Sequence, residues 1–300
     1  MNLSWGLPAD MLSRVFKRSM AGPFAWFDQL GFKKTSKSTT QSKTGIVYLV
    51  GAGPGDAELL TVKAVRLLQK ADVVLYDWLV SDDILGLLPN KTERLFVGKR
   101  AGKHSMQQQV ICDLLCEKAL EGKTVVRLKG GDPAIFGRLG EECKALELQG
   151  IPFAVVPGVT AASGMSAYTG VPLTDRRCSR SVRFITAQFS RPELEPDWSS
   201  MSPKEGDPSL ETLVFYMGLS RVSLICQRLI EHGLSADTPA MLVDQATTAE
   251  QTTLIRTLKD LPYAAECADF KGPALLVVGE VVGVKHAVDL SLLSTDGCYV

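Results

Sequence analysis

The chain has 300 residues, 45% of them hydrophobic, enough for one large or two medium domains that each bury a core. Lysine plus arginine equals aspartate plus glutamate at 33 each, so no overall field draws the protein to nucleic acid or to an anionic membrane surface, and an acidic ligand must be met by a local patch. No apolar stretch approaches the roughly 20 residues of a membrane span, which excludes a bilayer-crossing helix.

In chain order, residues 1–44 stand apart. Arg14, Lys17, Arg18, Lys33, Lys34, Lys37 and Lys43 face only Asp10 and Asp28, and the segment ends in the polar tract Lys34 to Lys43. Leu12, Val15, Phe16 and Met20 could line one side of a short helix. An organellar transit peptide is one reading, but Trp5, Phe24, Trp26 and Phe27 are unusual there, and a poorly ordered N-terminal extension is the expectation. From Val47 short β-rich runs alternate with helical segments. Strands are expected at 46–50, 73–76, 94–97, 124–128 and 153–156, and helices around 59–70, 82–87, 107–121 and 138–149, the rhythm of a doubly wound, largely parallel sheet. In the first helix Leu59, Val62, Val65 and Leu68 recur at three-residue steps and predict the buried stripe.

A change comes after Pro157. A helix from 160 to about 168, another near 221–231, and strands at 182–186, 213–217, 240–243, 252–257 and 274–278 build a second sheet. Between its first two strands, Ser190 to Leu210 is rich in Pro, Ser, Glu and Asp and reads as an exposed connection or lid edge. Seven cysteines, an odd count without a CxxC pair, fit reduced thiols in the cytoplasm. Cys112 and Cys116, four apart on a helix, read as small core residues. His104, His232 and His286 lie near no other ligand at metal spacing, so no metal site is expected.

Three glycine turns carry the chemistry: Gly51-Ala52-Gly53-Pro54-Gly55-Asp56, Gly130-Gly131-Asp132-Pro133, and Pro157-Gly158-Val159-Thr160-Ala161-Ala162-Ser163-Gly164. Each trails a β-branched apolar run and so belongs at a strand's carboxyl end, where open α/β sheets bind ligands. A phosphate loop needs GK[ST], whereas here Pro54 removes a donor and Asp56 adds a negative charge. The turns suit a ligand that approaches the backbone tightly and carries positive charge, such as a sulfonium or ammonium group. A nucleotide-binding dehydrogenase needs G-x-G-x-x-G, and the first turn fails at the third glycine.

These turns, in this order and together with Ala71 to Asp77, Val97 to Gly102, Arg127 to Gly137 and Leu213 to Gly218, closely resemble the S-adenosylmethionine-dependent uroporphyrinogen-III C-methyltransferases of the tetrapyrrole methylase superfamily, from about Val47 to about Val282. The resemblance implies two α/β domains with the active site in the cleft between them, here 45–157 and 158–286 with a tail at 287–300, in a homodimer. It implies two successive methylations of uroporphyrinogen III to precorrin-2, with S-adenosylhomocysteine as the other product. Asp77 matches the proposed proton acceptor, although a helix N-cap is a competing reading, and Lys99 matches the proposed proton donor. The donor-binding positions match Pro54, Gly130, Gly131, Asp132, Ile135, Thr160, Ala161, Met217 and Ala246. Asp132 would hold the ammonium or ribose hydroxyls, and Ile135 and Met217 would face the adenine.

The substrate is rich in carboxylates, and two cationic groups could meet it. Arg100 and Lys103 lie beside Lys99 and His104, while Arg176 and Arg180 lie with Arg177 and Arg183 around Asp175; arginine forks bind carboxylates two oxygens at a time. Three segments depart from the family pattern: Thr186-Ala187-Gln188 for Thr-Gly-His, Leu173-Thr174-Asp175-Arg176 for Leu-Thr-His-Arg, and Ala246 for a glycine. Within the superfamily, an RNA methylase is disfavoured by the lack of a basic face with interleaved aromatics, and diphthine synthesis by the two basic clusters. A non-catalytic tetrapyrrole carrier is the alternative outside enzymes.

Overall fold

The computed structural model describes residues 44–98, 107–189, 195–202 and 211–293. The expected extension at 1–44 therefore lies almost wholly outside the described residues, as does most of Ser190 to Leu210. The first sheet holds β1 (Ile46–Gly51), β2 (Val73–Tyr76), β3 (Glu93–Phe96), β4 (Thr124–Lys129) and β5 (Phe153–Val156), in the order β3-β2-β4-β1-β5. Every pair in it is parallel. Parallel strands need crossover helices, which cover both faces and make the strands apolar on both sides. Val50, Val74, Val126, Leu128 and Val156 accordingly pack on one face against α1 (Val62–Leu68) and α2 (Asp82–Gly86). Val47, Leu49, Val73, Leu75 and Val125 pack on the other against α3 (Gln108–Leu120) and α4 (Leu139–Leu148).

Helix α1 starts later than the periodicity predicts, and its buried face is rotated. The Thr61 side chain caps it by accepting from the Ala64 amide at 3.1 Å, and residues 57–59 form a separate short 3-10 turn. Ala64, Leu67 and Leu68 are buried while Val62 is 87% exposed. The cap fixes which residue opens the helix, and the stripe then runs through Leu60, Ala64, Leu67 and Ala71. Cys112 and Cys116 are buried on α3, their sulfurs 3.8 and 3.7 Å from the Glu141 and Ala145 carbonyls of α4.

The second sheet holds β6 (Ser181–Thr186), β7 (Glu211–Tyr216), β8 (Pro239–Asp244), β9 (Thr252–Thr257) and β10 (Ala274–Val278), in the order β6-β7-β10-β8-β9. Only β6 and β7 pair in parallel; the other pairs are antiparallel. Helix α6 (Val222–Glu231) and the short α7 (Leu261–Glu266) cover one face. Helix α5 (Ala161–Thr169) covers the other, with Ala162 and Met165 against Val214, Met241, Val243 and Val277. Because β10 runs against both β7 and β8, those two strands run the same way, and with β6 their carboxyl ends share one edge.

The glycines at the strand ends set a tight geometric limit. A Cβ on Gly51 would sit 2.6 Å from the Gly158 amide nitrogen and 2.7 Å from the Gly131 carbonyl oxygen, whereas one on Gly140 in α4 meets nothing within 4 Å. Gly51→Ala should therefore lower stability by about 3 kcal/mol through overpacking against backbone. Gly140→Ala should raise it by about 0.5–1 kcal/mol through helix propensity. Urea denaturation of the two variants checks both signs.

Candidate active site

The three glycine turns meet backbone to backbone. Parallel register brings Gly51 beside Lys129 and Val50 beside Val156, so the chains leave their strands side by side. Gly53 and Gly131 exchange two hydrogen bonds, 3.1 Å from the Gly53 amide and 2.6 Å from the Gly131 amide. The Asp132 carboxylate accepts from the Gly158 amide at 2.9 Å and the Ala134 amide at 2.8 Å, tying the second turn to the third. Its role in the fold is thus a clasp between turns, beyond the ligand contact expected of it. A Cβ on Gly131 would meet nothing nearer than the Ala161 amide at 3.8 Å, so the space over this glycine, toward the start of α5, is open to a ligand.

Loops of the second sheet close on the first turn. The Asp56 amide donates to Thr247 Oγ1 at 3.2 Å, and Tyr168 of α5 donates its hydroxyl to the Asp56 carboxylate. A Cβ on Gly164 would lie 2.5 Å from the Pro54 ring, so α5 rides directly on the first turn. Thr160 Oγ1 lies 2.7 Å from the Tyr216 hydroxyl, which also accepts from the Ala162 amide at 3.2 Å. The Tyr216 ring stands 5.1 Å from Phe136 and 5.7 Å from Phe184. Non-glycine residues at positive φ among the described residues are Phe136, Arg138, Met217, Gln245 and Thr247. All lie on loops that follow β4, β7 and β8. Such conformations cost about 1–3 kcal/mol each and cluster at functional sites.

Pro54, Gly130, Gly131, Asp132, Ile135, Thr160 and Ala161 therefore share one region, with Met217 and Ala246 on the loops facing it. Met217 follows β7 rather than ending it, and its side chain is exposed. Ala246 is buried in the second core and is absent from the positive-φ set, although both its neighbours belong to it. Trp78, Leu79, Phe96, Phe136 and Met217 expose apolar surface at the strand ends, the type of surface a large planar ring requires.

Asp77 ends up at the carboxyl end of β2, as the strand pattern predicts. One oxygen accepts from the Leu79 amide at 3.2 Å, an Asx turn, while the N-cap of α2 is Ser81. The other oxygen accepts from the Arg127 guanidinium at 3.3 Å. Behind it lies a charge network that the sequence reading passed over. Glu142, fully buried on α4, accepts from Arg127 Nε at 3.1 Å and from Lys129 Nζ at 3.0 Å. Burial and the neighbouring Arg127 cation push the Lys129 pKa down, against the pull of Glu142. Two cations inside the apolar run Val125 to Lys129 were the available signal.

Lys99, Arg100, Lys103 and His104 lie outside the described residues. Gly98, the last residue before them, packs against the Trp78 amide beside Asp77. The structure does not bring Arg176 and Arg180 to this site. Their loop precedes β6, whose other end faces the cleft, and six strand residues separate the two ends by roughly 20 Å. Arg177 is tied to Asp175 at 3.0 Å and holds that carboxyl down at about 2. Arg183 is tied to Glu211 at 2.9 Å. The groove between α3 and α4, about 880 Å³ and lined by Cys112, Cys116, Leu120 and Leu148 among others, contains none of the glycine turns.

Comparisons with known proteins converge on this arrangement. The family model for tetrapyrrole (corrin/porphyrin) methylases matches residues 46–262. A siroheme synthase of Pseudomonas aeruginosa (strain UCBPP-PA14) is 48% identical over 271 residues, 90% of this chain and 57% of that protein. A siroheme synthase of Pseudomonas fluorescens (strain SBW25) is 52% identical over 272 residues, 91% of this chain and 57% of that protein. The chain thus spans less than two thirds of the length of these curated relatives. Among solved structures, uroporphyrin III C-methyltransferase from Thermus thermophilus is 40% identical with a TM-score of 0.67, over 80% of this chain and 100% of that one. Its complex with S-adenyl homocysteine matches to the same extent. A cobalt precorrin-4 methyltransferase is 30% identical with a TM-score of 0.70, over 82% of this chain and 99% of that one.

The contact between Tyr168 and Asp56 has a pH signature. Burial first, then the hydrogen bond and charge of Asp56, raise the Tyr168 pKa from 10.0 to about 12. A phenol whose folded pKa is raised contributes stability that is whole below pH 10 and is lost as pH rises toward about 12. Ultraviolet titration should show a late-ionising tyrosine that disappears in Tyr168→Phe, and the wild-type advantage in stability over that variant should fade across the same interval.

Proposed function

The chain belongs to the tetrapyrrole (corrin/porphyrin) methylases, and from that premise we propose that it moves methyl groups from S-adenosylmethionine to two ring carbons of uroporphyrinogen III in turn, giving precorrin-2 for the sirohaem or cobalamin routes. The observation that carries this reading is 40% identity to a uroporphyrin III C-methyltransferase along that enzyme's whole length, with the glycine turns assembled around an open space. The Thermus thermophilus relative is a uroporphyrin III C-methyltransferase also solved with S-adenyl homocysteine; the residues of this chain supply the reason such a reaction can take place.

A pyrrole ring is electron-rich, so its carbon attacks the methyl carbon directly. The new carbon–carbon bond forms as the sulfur–carbon bond breaks, S-adenosylhomocysteine leaves with the electron pair, and, the methylated carbon being quaternary, a neighbouring nitrogen or bridging carbon then gives up the proton. Placement is the main contribution of the protein, and good in-line geometry can supply about 7–11 kcal/mol of the barrier. The glycine turns and the start of α5 hold the donor, with Met217 and Ile135 offering apolar contact to its adenine. The exposed rings at the strand ends receive the macrocycle. Asp77, at the mouth of β2 and partly exposed, accepts the proton, and Lys99, next along the chain from Gly98, donates one. Arg100 and Lys103 follow in the chain and meet substrate carboxylates. A homodimer in the cytoplasm is the assembly we expect; no helix among the described residues is long and apolar enough to cross a membrane.

Incubation with excess S-adenosylmethionine and uroporphyrinogen III should add two methyl groups, read by mass spectrometry. A single addition, or methylation only of a later corrin intermediate, would overturn the assignment. Ala246 gives a separate check on the donor site. Its backbone lies outside the positive-φ region, so alanine sits there without strain, and its methyl packs in the core of the second sheet and does not crowd the donor. Ala246→Gly should change donor affinity by less than about 1 kcal/mol, a backbone-entropy effect. A tenfold tightening in calorimetry would show crowding instead.

A further inference from the structure

We infer that Glu142 is a positioning residue for the reaction: acting through Arg127, it fixes the direction in which the Asp77 carboxylate points. The inference rests on the reading of Asp77 as proton acceptor. Glu142 has no exposed surface and cannot touch substrate. It nevertheless collects the Arg127 Nε at 3.1 Å, the Lys129 Nζ at 3.0 Å from both carboxylate oxygens, and the Gln108 amide at 3.3 Å. Gln108 opens α3, so the hub joins α3, α4 and β4.

The guanidinium is planar and its donors are fixed relative to one another. With Nε held by Glu142 and Nη1 held by the Leu128 carbonyl at 2.9 Å, the remaining nitrogen, Nη2, has its direction set. It lies 3.3 Å from Asp77 Oδ2. The Leu79 amide takes the other Asp77 oxygen, so both ends of the carboxylate are defined. Charge supports the same conclusion. Two cations and two carboxylates balance, so neither Arg127 nor Asp77 is left as an uncompensated charge at the edge of an apolar sheet. Apolar residues could fill the volume at equal or lower free energy, since buried ion pairs often gain nothing over hydrophobic replacements. What apolar residues could not do is aim a carboxylate at the cleft.

The test is a set of variants of the full chain, Glu142→Gln, Arg127→Lys and Asp77→Asn, singly and in pairs with Asp77→Asn. Thermal melting reports folding, calorimetry with S-adenosylhomocysteine reports the donor site, and kcat and KM report turnover. Glu142→Gln keeps the shape and removes the charge that holds the Arg127 fork. It should bind S-adenosylhomocysteine within twofold of wild type and keep KM within about threefold, yet lose tenfold or more in kcat. On top of Asp77→Asn it should cost less than twofold further, because residues that act as one unit are not additive. Should Glu142→Gln fail to fold, Arg127→Lys carries the same expectations, since it keeps the cation and removes the fork. Unchanged kcat in a folded single variant, or a full multiplicative loss in the double variant, would overturn the positioning role. An Asp77→Asn enzyme with intact kcat would instead overturn the reading of Asp77 itself, and the positioning role with it.

Discussion

Three strands can deliver their ends to one point only if nothing stands between them, and in this protein that constraint falls on Gly51 and Gly158, which pack against each other and against the Gly131 carbonyl. Their backbones are close enough that a Cβ on Gly158 would lie 2.3 Å from the Gly131 carbonyl. The amides of Gly53, Gly131 and Gly158 are all taken by partners within this group of turns. The polar backbone of each turn is thus satisfied by the next, which is how three irregular segments can share a partly buried position. The order β3-β2-β4-β1-β5 puts β1 and β4 side by side where the crossovers change direction, and the open space over Gly131 lies at that point.

The second sheet does not form the cradle, but it closes it. Tyr168 and Thr247 hold Asp56, and Pro54 lies against Gly164. One turn is therefore gripped from both sides. The charged network under Asp77 works differently. Burying Arg127, Lys129 and Glu142 carries a desolvation cost of several kcal/mol per ion, offset only because each finds partners, and Asp77 is the one member that reaches the surface. The glycine turns are joined to one another mainly through backbone, while the Asp77 carboxylate is held by the Arg127 side chain with Glu142 behind it.

Much of this was legible along the chain. Apolar runs of four to six residues followed by glycine gave the parallel strands and all three turns, because both signals are local. The α1 face was misread because periodicity alone gives a helical stripe without its starting phase; the Thr61 cap supplies that phase, and Val62 turns outward. Helix α7 was not anticipated, being only six residues long. The pairs Tyr168 with Asp56, Tyr216 with Thr160, and Glu142 with Arg127 each join residues 15 or more positions apart, and a single sequence contains no local cue to which will meet. Arg176 and Arg180 were grouped with the site by charge, but β6 carries them to its opposite end.

Ala246 shows how a departure from pattern can be absorbed. A glycine is useful where the chain must adopt a left-handed conformation. In this loop that conformation is taken by Gln245 at φ 47° and Thr247 at φ 71°, on either side of Ala246. Gln245 and Thr247 are held there by bonds outside the residue itself: the Gln245 amide donates to the Pro273 carbonyl at 2.9 Å, and the Thr247 amide to Gln251 Oε1 at 2.8 Å. The methyl of Ala246 meanwhile joins the core of the second sheet. Strain at two neighbours, over-determined by hydrogen bonds, frees the central residue to carry a side chain. The requirement at this loop is thus a backbone path toward the Gly55–Asp56 turn, and a glycine is one of several ways to meet it.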